Sequence, residues 1–429
     1  MKVCLINLGC AKNFVDSEAI LSLVNSKDFE IVTDENKADL IIINTCAFIH
    51  DAESETYDTI QYFKNLNKKL IVVGCYVEKY KKSLYDKFPF VDEFVGFKDF
   101  LKLPKIIEKV TKIKINKPYD IFQRVEEENS FSTYLKISEG CNHSCGYCII
   151  PHLRGKYYSY DEDKILEYVK NSVSKGIKEF TIIAQDTSYY GKDFLKKEVT
   201  LAGLLRKIDQ IEGVKFIRVL YLYPNEVDEE LIKAFKECKH VVPYFDLPIQ
   251  HASDKILKLM NRFDTYESLT KLISNIRKEI PNAIFRCTII VGYPHENNRD
   301  FNMLKRFLTH NRIHHVGVFT FSNEKNTKAY NLSCHVDKDI KEARKQELMN
   351  FQRKISYELN KEMVGKEYEG IVIGEKGNNT YYIRTEFNAP DDIDGSVYMV
   401  SNKKHNLGDI VKVKIEEAFV YDLYSTEIE

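Results

Sequence analysis

The strongest constraint on this chain is a short loop, EGCNHSCGYCIIP at 139–151, which spaces three cysteines as CxxxCxxC. The apolar run TYLKIS precedes the loop, so the cysteines are predicted to follow a strand. Three thiolates suit an iron-sulfur cube, because three of its four irons are then bound and the fourth stays open. An open iron can bind and reduce a substrate, so the loop indicates a catalytic cluster on Cys141, Cys145 and Cys148.

A zinc loop is the alternative interpretation of the same cysteines. Three cysteines within eight residues cannot all pair with one another, and a structural zinc site normally needs a fourth ligand. His143 and His152 are the local candidates for that ligand.

Length and composition indicate a multidomain enzyme of a reducing compartment. A chain of 429 residues is too long for one ordinary core and suggests two or three domains. Its ten cysteines come without a secretory signal, which favours metal ligands or buried thiols over disulfides and predicts a cytoplasmic protein. No apolar run reaches the length of a membrane span, so no contact with a membrane is expected.

Residues 1–115 alternate between apolar runs and amphipathic stretches, which predicts a doubly wound α/β domain with a parallel sheet. Three of the apolar runs end in a cysteine: VCLINLG before Cys10, LIIINT before Cys46 and LIVVG before Cys75. Ligands of such sheets bind beyond the carboxyl ends of the strands, so these cysteines are expected to converge. Buried thiols would explain them less well, and the pattern predicts a second cluster with three thiolates and an open iron.

Residues 116–132 carry a proline and a charge run and are predicted to be a linker. From 133 to 362, about six strands alternate with helices, which predicts a partial (β/α) barrel. The cysteine loop then lies beyond the first barrel strand, where barrel sites are built. From 363 to 429 only short runs remain, as in a small antiparallel β-barrel. This last segment has a net charge of −6, and the rest of the chain has +5.

CxxxCxxC after a strand resembles the signature of the radical S-adenosylmethionine (SAM) enzymes. Together, the three segments resemble the methylthiotransferases of that superfamily over essentially the whole chain, with the last segment similar to a TRAM domain. The motifs that carry the resemblance are GCAKNFVDSE at 9–18, INTCAF at 43–48, VVGCY at 72–76, IAQDTSYYGKD at 183–193, DLPIQHASDKIL at 246–257 and FNAPDDIDG at 387–395 with YDL at 421–423. Lys12 and Asn13 resemble the branch that modifies a ribosomal protein; the branch acting on transfer RNA more usually has a Gln-Met pair before the Asn.

This resemblance implies the cofactors, the substrate and the partners. Two 4Fe-4S clusters and S-adenosyl-L-methionine are expected, with methylthiolation of the β-carbon of an aspartate in small-subunit ribosomal protein twelve. An electron donor such as flavodoxin or ferredoxin and a sulfur donor are expected as partners. The alternatives are a transfer RNA adenosine methylthiotransferase and, from another class, a zinc-containing RNA-binding module without catalysis.

The resemblance also implies SAM contacts for Gln185 and Asp186 after the second barrel strand and for Arg286 inside the barrel. A capping role for the first two and a structural ion pair for the arginine are equally consistent with the sequence. The chain departs from the family pattern at GYPHENN, 292–298, where the usual pattern is GFPGETE, and at Tyr160, where an arginine is common.

The remaining cysteines and a histidine group have weaker signals. Cys238, Cys287 and Cys334 have no clustered partners and are expected to be buried or free thiols. The segment HNRIHH at 310–315 is rich in potential metal ligands, but it lies away from the predicted cluster face.

Overall fold

The computed structural model describes residues 1–81, 83–195, 198–390 and 394–429. Its first sheet has five parallel strands in the order β2-β1-β3-β4-β5, which confirms the predicted doubly wound sheet. The strands of this sheet are β1 (Lys2–Asn7), β2 (Glu30–Ile31), β3 (Leu40–Thr45), β4 (Lys69–Gly74) and β5 (Glu93–Gly96). The helices around it are α1 (Ala11–Val24), α2 (His50–Tyr62), α3 (Cys75–Tyr80), α4 (Ser83–Lys87) and α5 (Leu103–Thr111).

The central strand β3, LIIINT, is buried at every position, because helices cover both faces of a parallel sheet. Separate apolar clusters pack on the two faces, one containing Ile41 and Ile43 and the other Leu40 and Ile42. The alternation of side chains along this strand thus divides its apolar residues between two cores.

Six parallel strands form the central partial barrel, in two three-stranded sheets ordered β10-β9-β6 and β11-β12-β13. A bridge between Ile217 and Val241 and a hydrogen bond from the amide of Leu222 to the carbonyl of Asp246 at 3.0 Å join the sheets. The strands are β6 (Ser132–Lys136), β9 (Glu179–Ile183), β10 (Phe216–Val219), β11 (Tyr244–Asp246), β12 (Ile284–Val291) and β13 (His315–Thr320), with a small pair β7 (Ser138–Glu139) and β8 (Tyr158–Ser159). The helices are α6 (Ile150–Arg154), α7 (Glu162–Ser174), α8 (Leu201–Asp209), α9 (Glu229–Glu237), α10 (Asp254–Leu259), α11 (Tyr266–Glu279), α12 (Asn298–Asn311) and α13 (Lys338–Lys361).

The GYPHENN loop between β12 and α12 keeps a defined conformation despite its unusual sequence. His295 has φ +68°, in the left-handed region where the family pattern has glycine. Asn297 caps α12, since its Oδ1 accepts hydrogen bonds from the amides of Arg299 and Asp300. Asn297 thus caps the helix in place of the threonine of the family pattern. His295, which replaces a glycine of that pattern, introduces local backbone strain.

The segment between the first sheet and the barrel has no helix or strand from 116 to 131, yet it packs closely on both. Arg124 donates to Glu18 Oε2 on α1 at 3.1 Å and to the carbonyl of Tyr134 on β6 at 2.9 Å. Tyr119 stacks edge-on against Phe100 of the first domain at 5.6 Å. This segment is therefore a strap that fixes α1 against the barrel.

The last domain is a closed five-stranded barrel in the order β14-β15-β16-β18-β17. Four of its strand pairs are antiparallel and one, β16 with β18, is parallel. The strands are β14 (Glu367–Gly377), β15 (Thr380–Arg384), β16 (Val397–Val400), β17 (Ile410–Ala418) and β18 (Leu423–Ile428). Residues 391–393 of the FNAPDDIDG motif lie outside the described residues.

The terminal barrel covers the amino-terminal ends of the central barrel strands. Arg218 on β10 is fully buried and donates to the carbonyls of Thr385 and Glu386, at 2.6 and 3.3 Å. Arg384 forms an ion pair with Glu179 of β9 at 2.5 Å. Apolar residues of both domains share one cluster at this junction, so the terminal barrel completes the core of the central one.

Two histidines of the segment HNRIHH serve this junction. His315 Nε2 donates to the carbonyl of Phe387 at 2.8 Å, and His314 Nδ1 accepts from the amide of Phe285 at 3.1 Å. Burial is the largest influence on both rings and lowers both pKa values, so each imidazole is neutral near pH 7.

Replacing Arg218 by methionine is expected to lower the free energy of unfolding by about 2 to 4 kcal/mol, because two buried carbonyls lose their donor. Arg206→Met is the matched control, since its ion pairs with Glu230 and Glu237 lie at the surface. That variant should lose less than about 1 kcal/mol. Urea titration followed by circular dichroism measures both, and equal losses would contradict the predicted role of Arg218.

Replacing His315 by glutamine is expected to make stability less sensitive to acid. The folded pKa of His315 lies below the ordinary value near 6.5, so below that pH the unfolded chain takes up a proton that the folded chain does not. This histidine therefore lowers the free energy of unfolding as pH falls, by up to about 1.4 kcal/mol per pH unit. Unfolding measured from pH 7 to 5 should have a smaller slope in His315→Gln, whereas the exposed control His310→Gln should keep the slope of the unaltered chain.

Candidate functional site

The first cysteine triad lies along one edge of the N-terminal sheet. Cys10 is the N-cap of α1, Cys46 directly follows β3, and Cys75 begins α3 directly after β4. Strands β1, β3 and β4 are neighbours in the sheet, so their carboxyl ends place the three thiols at one edge. Gly74, with φ +101°, turns the chain sharply before Cys75, and a Cβ there would lie 2.8 Å from the carbonyl of Thr45.

Two cations lie close enough to the first triad to influence its thiols. Burial alone would raise the pKa of Cys10, but Lys12 and Arg154 outweigh it and lower that pKa. Burial raises the pKa of Cys46 to about 11 and also raises that of Cys75. The guanidinium of Arg154 opposes the rise at Cys75, so the triad has a positive charge beside it that can stabilise bound thiolates.

The second triad occupies the loop after β7, at the carboxyl ends of the barrel strands. The amide of Cys141 donates to the carbonyl of Gly155 at 3.2 Å, and the amide of Gly146 donates to the carbonyl of Met260 at 2.7 Å. Burial raises the pKa of Cys141 to about 12 and raises that of Cys148 further. These backbone contacts hold the loop without using its sulfur atoms, and all three thiols are free.

Asp186 lies beside this loop and is already bound to protein groups. Its Oδ2 lies 2.7 Å from Nε2 of His143, and its Oδ1 accepts from the hydroxyl of Ser188 at 2.5 Å. The His143 ring stacks on Tyr223 at 3.8 Å between centroids, and Arg262 lies 4.3 Å from the same tyrosine ring. Asp186 therefore orients the cysteine loop through His143, and its contact with SAM stays a prediction.

Gln185 offers a buried acceptor next to the same loop. Its Nε2 donates to Glu139 Oε1 at 2.6 Å, while its Oε1 has no partner among the described residues. An amino group of a bound molecule would satisfy that oxygen, which fits the SAM contact predicted from sequence. Arg286 lies inside the barrel between Asp246 and Asp394, with Nε 3.8 Å from a carboxylate oxygen of each. The structural ion pair that the sequence allowed is thus present, and an additional SAM contact of Arg286 stays a prediction.

The chemistry of the six thiols fits iron-sulfur clusters. Within the described residues, no three His, Cys, Asp or Glu side chains are placed to hold one metal ion. In a [4Fe-4S] cluster held by three thiolates, each thiolate binds a different iron. Soft sulfur donors in two separate groups of three, each with a nearby guanidinium, match that requirement.

A buried ionic cluster connects the two triads. Arg154, on the helix after the cysteine loop, donates to Asp16 at 2.8 Å and to Asn13 at 2.9 Å, both on α1. Lys136 on β6 donates to the other oxygen of Asp16 at 2.7 Å and also contacts Glu139. All four charged side chains are nearly inaccessible to water. We call Asp16, Lys136, Glu139 and Arg154 the ionic cluster.

Sequence reasoning missed the ionic cluster and two strained residues of the barrel. Tyr221 and Gln250 have φ values of +63° and +67°, which are unusual for residues other than glycine. The amide of Tyr221 donates to Asp246 Oδ2 at 2.9 Å, which holds the strained turn. Nothing in a single sequence reports such dihedral angles, although Gln250 lies within the recognised stretch DLPIQHASDKIL.

The family models match three successive parts of the chain, which correspond to the three domains described above. Residues 2–96 match an uncharacterized protein family, UPF0004, residues 135–308 match the radical SAM superfamily, and residues 364–428 match the TRAM domain. The fold and the cysteine loop thus define a radical SAM protein with an additional thiol-bearing domain.

Curated relatives extend over the whole chain. The ribosomal protein uS12 methylthiotransferase RimO of Thermoanaerobacter sp. (strain X514) is 42% identical, covering 98% of this chain and 98% of that protein. The proteins of the same name from Aquifex aeolicus and Clostridioides difficile are each 41% identical, covering 100% and 99% of this chain and 98% of each relative. The chain therefore belongs to the RimO family of ribosomal protein uS12 methylthiotransferases.

Solved structures support the fold at low sequence identity. The radical SAM methyltransferase TsrM from Kitasatospora setae, with cobalamin and a [4Fe-4S] cluster bound, matches with a TM-score of 0.57 at 10% identity, over 89% of this chain and 80% of that one. The cobalamin-dependent SAM radical enzyme OxsB matches with a TM-score of 0.51 at 13% identity, over 82% and 56%.

Changing Cys141, Cys145 and Cys148 together to alanine is expected to lower the iron content from about eight to about four atoms per chain and to abolish SAM cleavage. The same change at the first triad should also leave about four irons, because the triads bind separate clusters. Iron and sulfide are assayed after anaerobic reconstitution. Cys238→Ala is the control and should keep all the iron; tightly bound zinc in place of iron would contradict both assignments.

Proposed function

We propose that this chain is a radical SAM methylthiotransferase that modifies the β-carbon of an aspartate in ribosomal protein uS12. The observation that carries the proposal is the pair of thiol triads at strand ends, joined by the ionic cluster. A zinc-bearing binding module has no use for two such triads, and the full-length similarity to RimO proteins points in the same direction.

Six cysteines would hold the inorganic cofactors: Cys10, Cys46 and Cys75 one cluster, and Cys141, Cys145 and Cys148 the other. When bound, the two [4Fe-4S] clusters would pass on an electron from the electron donor and carry sulfur from the sulfur donor, and SAM would supply the radical and the methyl group. Gln185 Oε1 is available to accept a hydrogen bond from the SAM amino group. The protein contributes ligation, orientation and the exclusion of water.

The ionic cluster is shielded from water and links the elements that carry the two triads. Its two positive and two negative groups have side-chain exposures of 3% or less. Rearranging the domains would leave buried charges unpaired, which is costly. A rigid separation suits a reaction in which a group held by one triad meets a carbon activated at the other.

The charge of the terminal barrel favours a basic protein over RNA as the substrate. The lysines that could form a basic strip for RNA are Lys403, Lys404, Lys412 and Lys414. Lys412 and Lys414 lie directly opposite Glu369 and Glu367 on β14, so acidic side chains interrupt this strip. Lys403 forms an ion pair with Glu427 at 3.5 Å. Neutralised lysines release few counterions from a phosphate backbone, whereas an acidic domain attracts a basic ribosomal protein.

The domain limits and further partners belong to the same proposal. We assign 1–115 to the domain with the first cluster, 116–132 to the strap, 133–362 to the radical SAM core and 363–429 to the TRAM domain. An electron donor such as flavodoxin or ferredoxin and a sulfur donor complete a cytoplasmic reaction. Within the described residues, no helix has the length and apolar composition needed to cross a bilayer.

Incubating the reconstituted enzyme with uS12 and with transfer RNA in parallel tests the substrate. We expect mass spectrometry to find one methylthio group on an aspartate of uS12 and none on the RNA. The rate should fall as salt increases, since exposed charges guide the encounter. The variant with alanine at Cys10, Cys46 and Cys75 is the control and should transfer no methylthio group. Modification of the RNA, with uS12 unchanged, would contradict the proposal.

A further inference from the structure

Lys12 places a positive charge where the first domain meets the barrel. It lies in the first turn of α1, two residues after Cys10, and its Nζ lies 3.5 Å from the centroid of the Tyr221 ring. Tyr221 directly follows the barrel residue Leu220, at the carboxyl ends of the barrel strands. The ammonium therefore lies beside the first triad and faces the other domain.

The barrel positions the tyrosine beneath this ammonium by a strained backbone. Besides the hydrogen bond from its amide to Asp246, the carbonyl of Tyr221 accepts from the amide and the hydroxyl of Thr187, at 3.1 and 3.0 Å. A left-handed conformation costs on the order of 1 kcal/mol for such a residue and persists only where surrounding contacts enforce it. Strain of this kind is concentrated at binding sites.

Lys12 has no carboxylate partner in the part of the chain that the structure describes. Its ammonium contacts Tyr221 and lies near the thiol of Cys10, and no described carboxylate lies within 4.0 Å of it. The nearby carboxylate of Asp246 is bound instead by the Tyr221 amide and by Arg286. The ammonium of Lys12 is half-buried over an aromatic ring, and the nearby carboxylate is bound to other groups. This ammonium is therefore suited to receive an anionic group from a bound molecule.

We propose that Lys12 binds the side-chain carboxylate of the substrate aspartate and so selects this residue for modification. The inference rests on the proposed function and names a specificity-determining residue for it. The aspartate β-carbon is bonded directly to the carboxylate carbon, so an anchored carboxylate leaves the β-carbon one bond away. Because Lys12 is two residues from Cys10, this anchor holds the β-carbon beside the first triad.

A purely structural role for Lys12 makes a different prediction. If the lysine only attached α1 to the barrel through Tyr221, its loss would weaken the domain contact and affect every substrate equally. A carboxylate-binding role makes the effect depend on the charge of the substrate residue. Comparing an aspartate with its neutral isostere asparagine separates the two roles.

The experiment measures binding of uS12 to the anaerobically reconstituted enzyme without SAM, so that no turnover occurs. Natural uS12 is compared with uS12 carrying asparagine at the target position, using the unaltered enzyme, Lys12→Met, Lys12→Arg and the exposed control Lys27→Met. The unaltered enzyme and Lys27→Met should bind the aspartate form roughly 10- to 100-fold more tightly. Lys12→Met should bind both forms alike, and Lys12→Arg should retain part of the preference.

Two results would overturn the inference: equal binding of both uS12 forms by the unaltered enzyme, or a full preference for aspartate in Lys12→Met. If Lys12→Met fails to fold or to bind iron, Lys12→Gln replaces it in the comparison, and equal binding of the two uS12 forms by the unaltered enzyme still overturns the inference. Methylthiolation of uS12 is assayed separately in the unaltered enzyme, so failure of the proposed function is distinguished from failure of the lysine assignment.

Discussion

The arrangement of this molecule depends on the ionic cluster between the first domain and the barrel. Its members come from α1, from β6 and β7, and from the helix that follows the cysteine loop, so one set of contacts ties both thiol triads together. The positive charges of one lysine and one arginine balance the negative charges of two carboxylates, and all four groups lie away from water. Buried charges of this kind contribute little net stability but penalise any alternative placement, so their main effect is to select a single arrangement of the domains.

The opposite end of the barrel has a different construction. There, backbone carbonyls of 385–387 accept hydrogen bonds from Arg218 and His315, and apolar side chains of the two domains form one cluster. The amino-terminal ends of the strands are thereby covered, and the thiols, Tyr221 and Lys12 lie toward the carboxyl ends. A substrate residue therefore reaches the thiols from the carboxyl-end side.

The fold was largely predictable from the sequence, because alternating strands and helices, and cysteines at strand ends, are local patterns. Cys10, Cys46 and Cys75 could be assigned to one edge since carboxyl ends of neighbouring parallel strands meet there. The ionic cluster could not be predicted. Asp16 is separated from Lys136 by 120 residues and from Arg154 by 138, and charged side chains are ordinarily assigned to the surface. Similarly, nothing local indicated that Arg286 faces a carboxylate of the terminal barrel.

The way the terminal barrel is attached determines whether it could be exchanged as an independent domain. Domains of this size are often exchanged between proteins, which requires that the surface left behind tolerate water. Here, removal of residues after 362 would expose Tyr244 and Phe216, and would leave the buried guanidinium of Arg218 without the carbonyls that bind it. The central barrel is therefore incomplete without the terminal barrel. Any exchange of domains at this boundary would have to keep the segment 385–390 with the central barrel, together with the strands that this segment connects.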